Sequence, residues 1–102
     1  MKTPDKCADM GDIRVEIDRI DKEVIALLGQ RFQYVQAAAQ FKTSAESVKA
    51  PERLKSMLEQ RRRWAAEEGL SPDAIEKMYN DLVSYFIKEE MTKWKTAVAT
   101  SD

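Results

Sequence analysis

The sequence contains no histidine and a single cysteine, Cys7, within 102 residues. These shortages exclude a disulfide framework, a Cys-X-X-Cys redox pair and a His/Cys zinc site. They also exclude nucleophilic catalysis by Ser/His/Asp or Cys/His groups, because the base that would activate the nucleophile is missing. The side chains left for chemistry are those of Arg, Lys, Asp, Glu and Tyr.

Glycine and proline are also scarce, with three of each, whereas residues that favour helices dominate the rest of the chain. The composition therefore predicts a single small all-α domain. No apolar run approaches the ~20 residues of a membrane span, and residues 1–7 lack the apolar segment of a signal peptide. With one cysteine, which lies in an arm expected to be disordered, a reducing cytoplasm is the expected location.

The charges are balanced, with 17 basic and 18 acidic residues interspersed along the chain. Such a pattern creates no net field toward nucleic acid or an anionic membrane surface. The arginine run at residues 61–63 has two interpretations, a nucleic-acid contact or a solvated helix face. The solvated face is favoured because the acids Glu59, Glu67 and Glu68 lie close by in the sequence.

Apolar residues recur at steps of three and four, which predicts three helices over residues 12–43, 51–68 and 71–98. The predicted signals at their ends are Pro51 at a first helical position, Gly69 as a stop, and a Ser71 cap followed by a proline. Residues 44–50 lose the periodicity and are expected to form a loop, and residues 100–102 are expected to fray.

Helices of roughly 30, 17 and 27 residues do not form a balanced monomeric bundle, because the short helix cannot cover the long first one. A long exposed apolar stripe normally indicates a partner. We therefore expect an intertwined homodimer.

Three ionisable residues fall on the apolar stripes of these helices. Arg31 and Lys42 lie on the stripe of the first helix, and Glu90 shares that of the third with Tyr79, Phe86, Trp94 and Val98. A buried charge without a partner or ligand costs several kcal/mol. Each has a structural alternative: Arg31 and Lys42 could extend past the apolar face into water, and Glu90 could form an ion pair with Arg31. In the functional interpretation, Arg31 and Lys42 together bind a small anion.

Arg14 lies ~42 Å from Lys42 along one straight helix. Within one chain the two side chains could not reach the same small molecule, whereas in an antiparallel dimer they could. A cationic pocket built from both subunits is thus compatible with the expected dimer.

Five short motifs stand out along the chain: Asp12-Ile13-Arg14, Ile17-Asp18-Arg19-Ile20-Asp21, Leu27-Leu28-Gly29-Gln30-Arg31, Phe41-Lys42 and Ala50-Pro51-Glu52-Arg53. Together they resemble the all-α (AroQ-class) chorismate mutases, and among them the isochorismate pyruvate lyases of salicylate and siderophore biosynthesis. The resemblance covers nearly the whole chain and depends on spacing as well as residue type.

The resemblance implies two equivalent sites in a dimer, each with Arg14 from one subunit and the remaining residues from the other. Arg14 and Arg31 would hold the substrate carboxylates, and Lys42 would donate to the ether oxygen that gains negative charge. Arg53 would close the anionic pocket, Glu90 would face the reacting oxygen, and the loop ending at Lys49 would act as a lid. The implied pericyclic reaction needs no nucleophile, metal or cofactor.

Two departures from the resemblance bear on the reaction. Ala50 and Leu54 stand where the mutases commonly carry acidic residues, one of which contacts a ring hydroxyl, so the lyase is favoured over the mutase. Glu90 stands where the lyases usually have glutamine, so it must be protonated to donate a hydrogen bond. A chorismate mutase and a non-catalytic helical interaction module are the alternatives.

Overall fold

The architecture is all-α, as predicted. In a computed structural model of the chain, the backbone is described for residues 1–99 and the side chains for residues 1–96. The helices are α1 (Met10–Ala38), α2 (Ala45–Lys49), α3 (Pro51–Glu67) and α4 (Pro72–Ala99), with single 3-10 turns at Pro4–Lys6 and Ala39–Phe41. The expectations for Val98 and residues 100–102 lie outside this description. Over the described part, no helix is long and apolar enough to cross a membrane.

The chain divides into two compact units, residues 1–34 and 35–102. In the first unit α1 begins at Met10, two residues before the predicted start, because the side chain of Asp9 caps it. The amide of Asp12 donates to Asp9 Oδ1 at 2.8 Å, and the amide of Ile13 donates to the Asp9 carbonyl at 3.3 Å. An aspartate in this position satisfies amides that the first helical turn leaves without partners.

The expectation of a disordered N-terminal arm is wrong. The Asp12 carboxylate accepts from the Ala8 amide at 3.0 Å and from Lys2 Nζ at 3.0 Å, and the Lys2 amide donates to Glu16 at 3.1 Å. Both hydrogen bonds lower the pKa of Asp12, and the one from the Ala8 amide has the larger effect. These contacts tie the arm to the start of α1, so Cys7 lies in ordered chain and is partly covered.

Between residues 17 and 27 the apolar stripe of α1 is largely exposed in the single chain. Ile17 and Leu27 are 50% and 61% exposed, and Ile20 and Val24 are 47% and 46% exposed. An apolar patch of this length on one helix is unusual for a monomer.

In the second unit α3 packs against α4, and α2 and the 3-10 turn at Ala39–Phe41 also contact α4. Gly69 follows α3 with a positive φ of 74°, a conformation that stops a helix without penalty only for glycine. The Ser71 hydroxyl then accepts from the Ala74 amide at 3.2 Å and caps α4. The most buried apolar side chains of this unit are Ala39, Val48, Met57, Ala65 and Phe86.

The arginine run serves the packing of α3 against α4. Arg62 pairs with Asp73 at 2.7 Å and with Glu76 at 3.0 Å, so its acidic partners lie on α4. Arg61 lies over the rings of Trp64 and Tyr79, at 4.7 Å and 5.7 Å from their centroids. Two of the three arginines therefore have structural roles inside the second unit.

The prediction of a loop over residues 44–50 is wrong, since residues 45–49 form α2. Regular α-helix also ends at Ala38, five residues before the predicted end of the first helix, and a 3-10 turn follows. The Ser44 hydroxyl accepts from the Ser47 amide at 3.0 Å and caps α2. Val48 is 3% exposed and anchors α2 by burial. A helix this short has too few positions to show a period.

Ala50 joins α2 to α3 in the left-handed region, with φ 41° and ψ 63°. We expect Ala50→Gly to stabilise the fold by up to about 1 kcal/mol, because this backbone costs an L-residue roughly 1–2 kcal/mol. The greater freedom of glycine in the unfolded chain removes about 0.4–1 kcal/mol of that gain. The matched control is Ala66→Gly at an exposed position of α3, which should destabilise by roughly 0.5–1 kcal/mol. Urea unfolding measures the free energy of unfolding of both variants. An equal loss of stability in the two would contradict the strained backbone assigned to Ala50.

Candidate active site

Lys42 is fixed in position where the chain leaves the 3-10 turn. Its backbone is extended, with φ −88° and ψ 134°, and its amide donates to the Ala39 carbonyl at 3.2 Å. The side chain is half-buried, and Nζ donates to the carbonyl oxygen of Ser47 at 3.1 Å. The cation is thus presented from a defined backbone and contacts α2 through one hydrogen bond.

Glu90 is the buried carboxyl group of the second unit, with 5% of its surface exposed. Its Oε1 atom is buried and has no hydrogen-bond partner among the described residues. Burial raises the pKa of Glu90, and the positive charge of Lys42 opposes this shift. Removal from water is the larger effect, so Glu90 keeps its proton to a higher pH than an exposed glutamate does. In its protonated form the carboxyl group can donate a hydrogen bond.

Trp94 lies one helical turn after Glu90 on α4, and such i, i+4 neighbours share a face. Its indole Nε1 donates to the carbonyl oxygen of Lys42 at 3.1 Å. One side of the residue borders an open cavity of about 360 Å³, which is lined by Gln36, Ala37, Ala39, Gln40, Lys93 and Trp94. Helix α4 therefore interacts with Lys42 in two ways. Glu90 interacts electrostatically with the side chain of Lys42, and the Trp94 indole donates a hydrogen bond to its backbone.

The three arginines predicted for the site occupy different parts of the chain. Arg53 is exposed in the first turn of α3, in the second unit with Lys42 and Glu90. Arg14 and Arg31 belong to α1 within the first unit, where Arg14 is exposed and Arg31 is half-buried. Of the predicted residues, the structure brings Lys42 and Glu90 into electrostatic contact.

Sequence reasoning missed two partners of Lys42, the Ser47 carbonyl and the Trp94 indole. The contact with Ser47 uses its backbone carbonyl oxygen, which every residue type has, so the sequence gives no signal for it. Trp94 shares the apolar stripe of Glu90 and follows it by four residues, and this spacing is the sequence signal that both side chains approach one target.

The site offers one cation and one buried acid for chemistry. In the part of the chain that is described, no three Cys, Asp or Glu side chains group closely enough to hold a metal ion. The hydrogen-bond donors Lys42 Nζ and protonated Glu90 suit a reaction in which negative charge grows on an oxygen.

Comparison with known proteins gives three similarities. The family model described as chorismate mutase type II matches residues 13–91, a span that contains every predicted site residue and ends before Trp94. The isochorismate pyruvate lyase of Pseudomonas aeruginosa is 42% identical over 95 residues, which cover 93% of this chain and 94% of that protein. The T-protein of Haemophilus influenzae is 37% identical over 79 residues, covering 76% of this chain and 20% of the T-protein.

Proposed function

The chain belongs to the type II chorismate mutase family, and we propose that it acts as an isochorismate pyruvate lyase. The observation that carries this proposal is the 42% identity to a lyase over 93% of this chain and 94% of that protein. Because the match covers nearly all of both chains, the similarity is not confined to one part of the relative. The electrostatic interaction of Lys42 with a buried Glu90 supports the same chemistry.

The proposed reaction eliminates pyruvate from isochorismate in one pericyclic step. The bond between a ring carbon and the ether oxygen breaks, and the oxygen leaves as the carbonyl of pyruvate. A ring hydrogen passes to the enolpyruvyl methylene and makes it the methyl group, while the ring becomes salicylate. Negative charge grows on the ether oxygen as its bond to the ring breaks, so fixed donors lower the barrier.

Lys42 Nζ and protonated Glu90 are the proposed donors to that oxygen. Lys42 Nζ gives one of its three N–H donors to the Ser47 carbonyl, which leaves donors for the ether oxygen. Because Ser47 belongs to α2, we assign the lid to this short helix. Closing it over the substrate would exclude water and strengthen both donors.

Arg14, Arg31 and Arg53 are proposed to bind the two substrate carboxylates. Arg14 and Arg31 lie 17 residues apart on α1, about 26 Å along the axis at 1.5 Å per residue. One small dicarboxylate cannot contact both from the same copy. We therefore propose a homodimer in which Arg14 enters the site of the other subunit, and the exposed apolar stripe of α1 supports that association.

Mixing inactive subunits tests this shared site. When Arg14→Ala and Lys42→Ala chains are unfolded together and refolded in equal amounts, half of the dimers are mixed and each contains one intact site. Activity should return to about one quarter of wild type. The matched control mixes Arg31→Ala with Lys42→Ala, which act from the same subunit and should stay inactive. Equal recovery in both mixtures would contradict the assignment of Arg14 to the partner.

The proposed activity is tested by incubating the protein with isochorismate and following salicylate fluorescence, with Lys42→Ala prepared in parallel as the control. The second candidate function is conversion of chorismate to prephenate, which the family match favours and which we expect as a weak side activity. Formation of prephenate without salicylate would replace the lyase assignment with the mutase.

A reducing cytoplasm, where Cys7 stays a free thiol, is the proposed location.

A further inference from the structure

The carbonyl oxygen of Lys42 accepts a hydrogen bond from a residue 52 positions away in the sequence, Trp94. Lys42 lies between the 3-10 turn and α2, both of which contact α4. The Lys42 amide donates to Ala39 within the preceding 3-10 turn. The indole therefore supplies the hydrogen bond that joins the backbone of Lys42 to α4.

The same helix carries Glu90 one turn before Trp94. Beyond the packing of the flanking elements, the separation between Glu90 and the Lys42 backbone depends on one turn of α4 and this hydrogen bond. If the hydrogen bond is lost, the carbonyl group of Lys42 loses its link to α4 and the backbone can shift relative to Glu90. A displacement of 1 Å can lower a rate about 10²-fold when two groups must act on one atom.

We propose that Trp94 is a positioning residue that holds Lys42 at its working distance from Glu90 through the indole N–H. This inference rests on the lyase activity proposed above. Trp94 touches the Lys42 backbone and no reacting atom, so its effect passes through Lys42. Removing the N–H should lower kcat and leave the binding of substrate carboxylates, and hence KM, nearly unchanged.

Trp94→Phe removes the donor and keeps an aromatic ring. The residue is half-buried and borders an open cavity, so the smaller ring should be accommodated without loss of folding. The matched control is Trp64→Phe, at a position that is 46% exposed on α3 and lies beneath Arg61. We expect Trp94→Phe to lower kcat about tenfold with KM changed less than about twofold, and Trp64→Phe to match wild type.

A double-mutant cycle separates positioning from a general structural effect. In a Lys42→Ala background, Trp94→Phe should change the residual kcat by less than about twofold, because the group it positions is absent. The same tenfold loss in both backgrounds would overturn the proposal.

The contact itself is tested without substrate by the carbonyl carbon resonance of Lys42. Loss of the hydrogen bond should move this resonance upfield in Trp94→Phe and leave it in place in Trp64→Phe. A wild-type protein that forms no salicylate contradicts the proposed activity. A wild-type protein that forms salicylate, with equal kcat in the two tryptophan variants, contradicts the positioning role alone.

Discussion

Lys42→Ala should lower kcat by about 10²–10³-fold, the usual loss when one preorganised donor to a developing oxyanion is removed. Lys42 is proposed to place positive charge at the ether oxygen while the bond to the ring breaks. Alanine removes that charge but keeps a residue compatible with the extended backbone that leads into α2. KM should change less than kcat, because the arginines are assigned to the substrate carboxylates.

Folding should survive the change, because the Lys42 side chain is half-buried and makes one described hydrogen bond, to the Ser47 carbonyl. Loss of a single such bond costs about 0.5–1.5 kcal/mol. The matched control is Lys77→Ala, which removes an exposed lysine of α4 and should leave kcat unchanged. Single-turnover rates and thermal unfolding of both variants decide the outcome. A collapse in Tm that parallels the loss of kcat would instead assign Lys42 to the fold.

Glu90→Gln should change the pH dependence of turnover. Burial raises the pKa of Glu90, and only its protonated form can donate to the ether oxygen. As the pH rises above that pKa, the donor fraction in the wild type falls about tenfold per pH unit. Glutamine donates from its amide at any pH, so the variant should keep a flat profile. Wild-type kcat/KM should therefore rise toward mildly acidic pH, and coinciding profiles would contradict this role.

The same substitution should affect stability in a defined direction. Because the folded pKa of Glu90 is raised, the folded state retains a proton that the unfolded state has lost over the window between the two pKa values. Rising pH across that window lowers the free energy of unfolding, and the loss is complete above the folded pKa. Glu90→Gln should raise Tm at neutral pH, and this gain should vanish as the pH falls below the unfolded pKa. Glu89→Gln, on the exposed neighbour, is the control and should show neither effect.

Local signals explain what the sequence could predict about the fold. The cap of α4 by Ser71 and the stop at Gly69 depend on residues within one turn of the helix end, so residue identity reveals them. Helix α2 has five residues and is held by a serine cap and by the burial of Val48, and neither feature gives a periodic pattern. The order of the arm before α1 could not be predicted, because it comes from contacts with Asp12 and Glu16 on the helix that follows.

The candidate site also has one feature that the sequence could predict and others that it could not. Glu90 could be singled out because an acid on an apolar stripe is physically costly, and its burial follows from that stripe. The contacts of Lys42 could not be found, since one partner is a backbone carbonyl and the other is an indole 52 residues away. Such contacts depend on how α4 approaches the end of the 3-10 turn, and this approach is set by packing.

Helix α4 takes part both in the packing of the second unit and in the surroundings of Lys42. Asp73 and Glu76 pair with Arg62 near its start, Phe86 is buried in the middle, and Glu90 and Trp94 interact with Lys42 farther along. Each residue of a helix advances the chain by about 100°. Deleting one residue between Glu76 and Phe86 would rotate everything beyond it by that angle and turn Glu90 and Trp94 away together. This stretch can therefore diverge by substitution but not by length, so insertions and deletions among natural variants should fall between the helices.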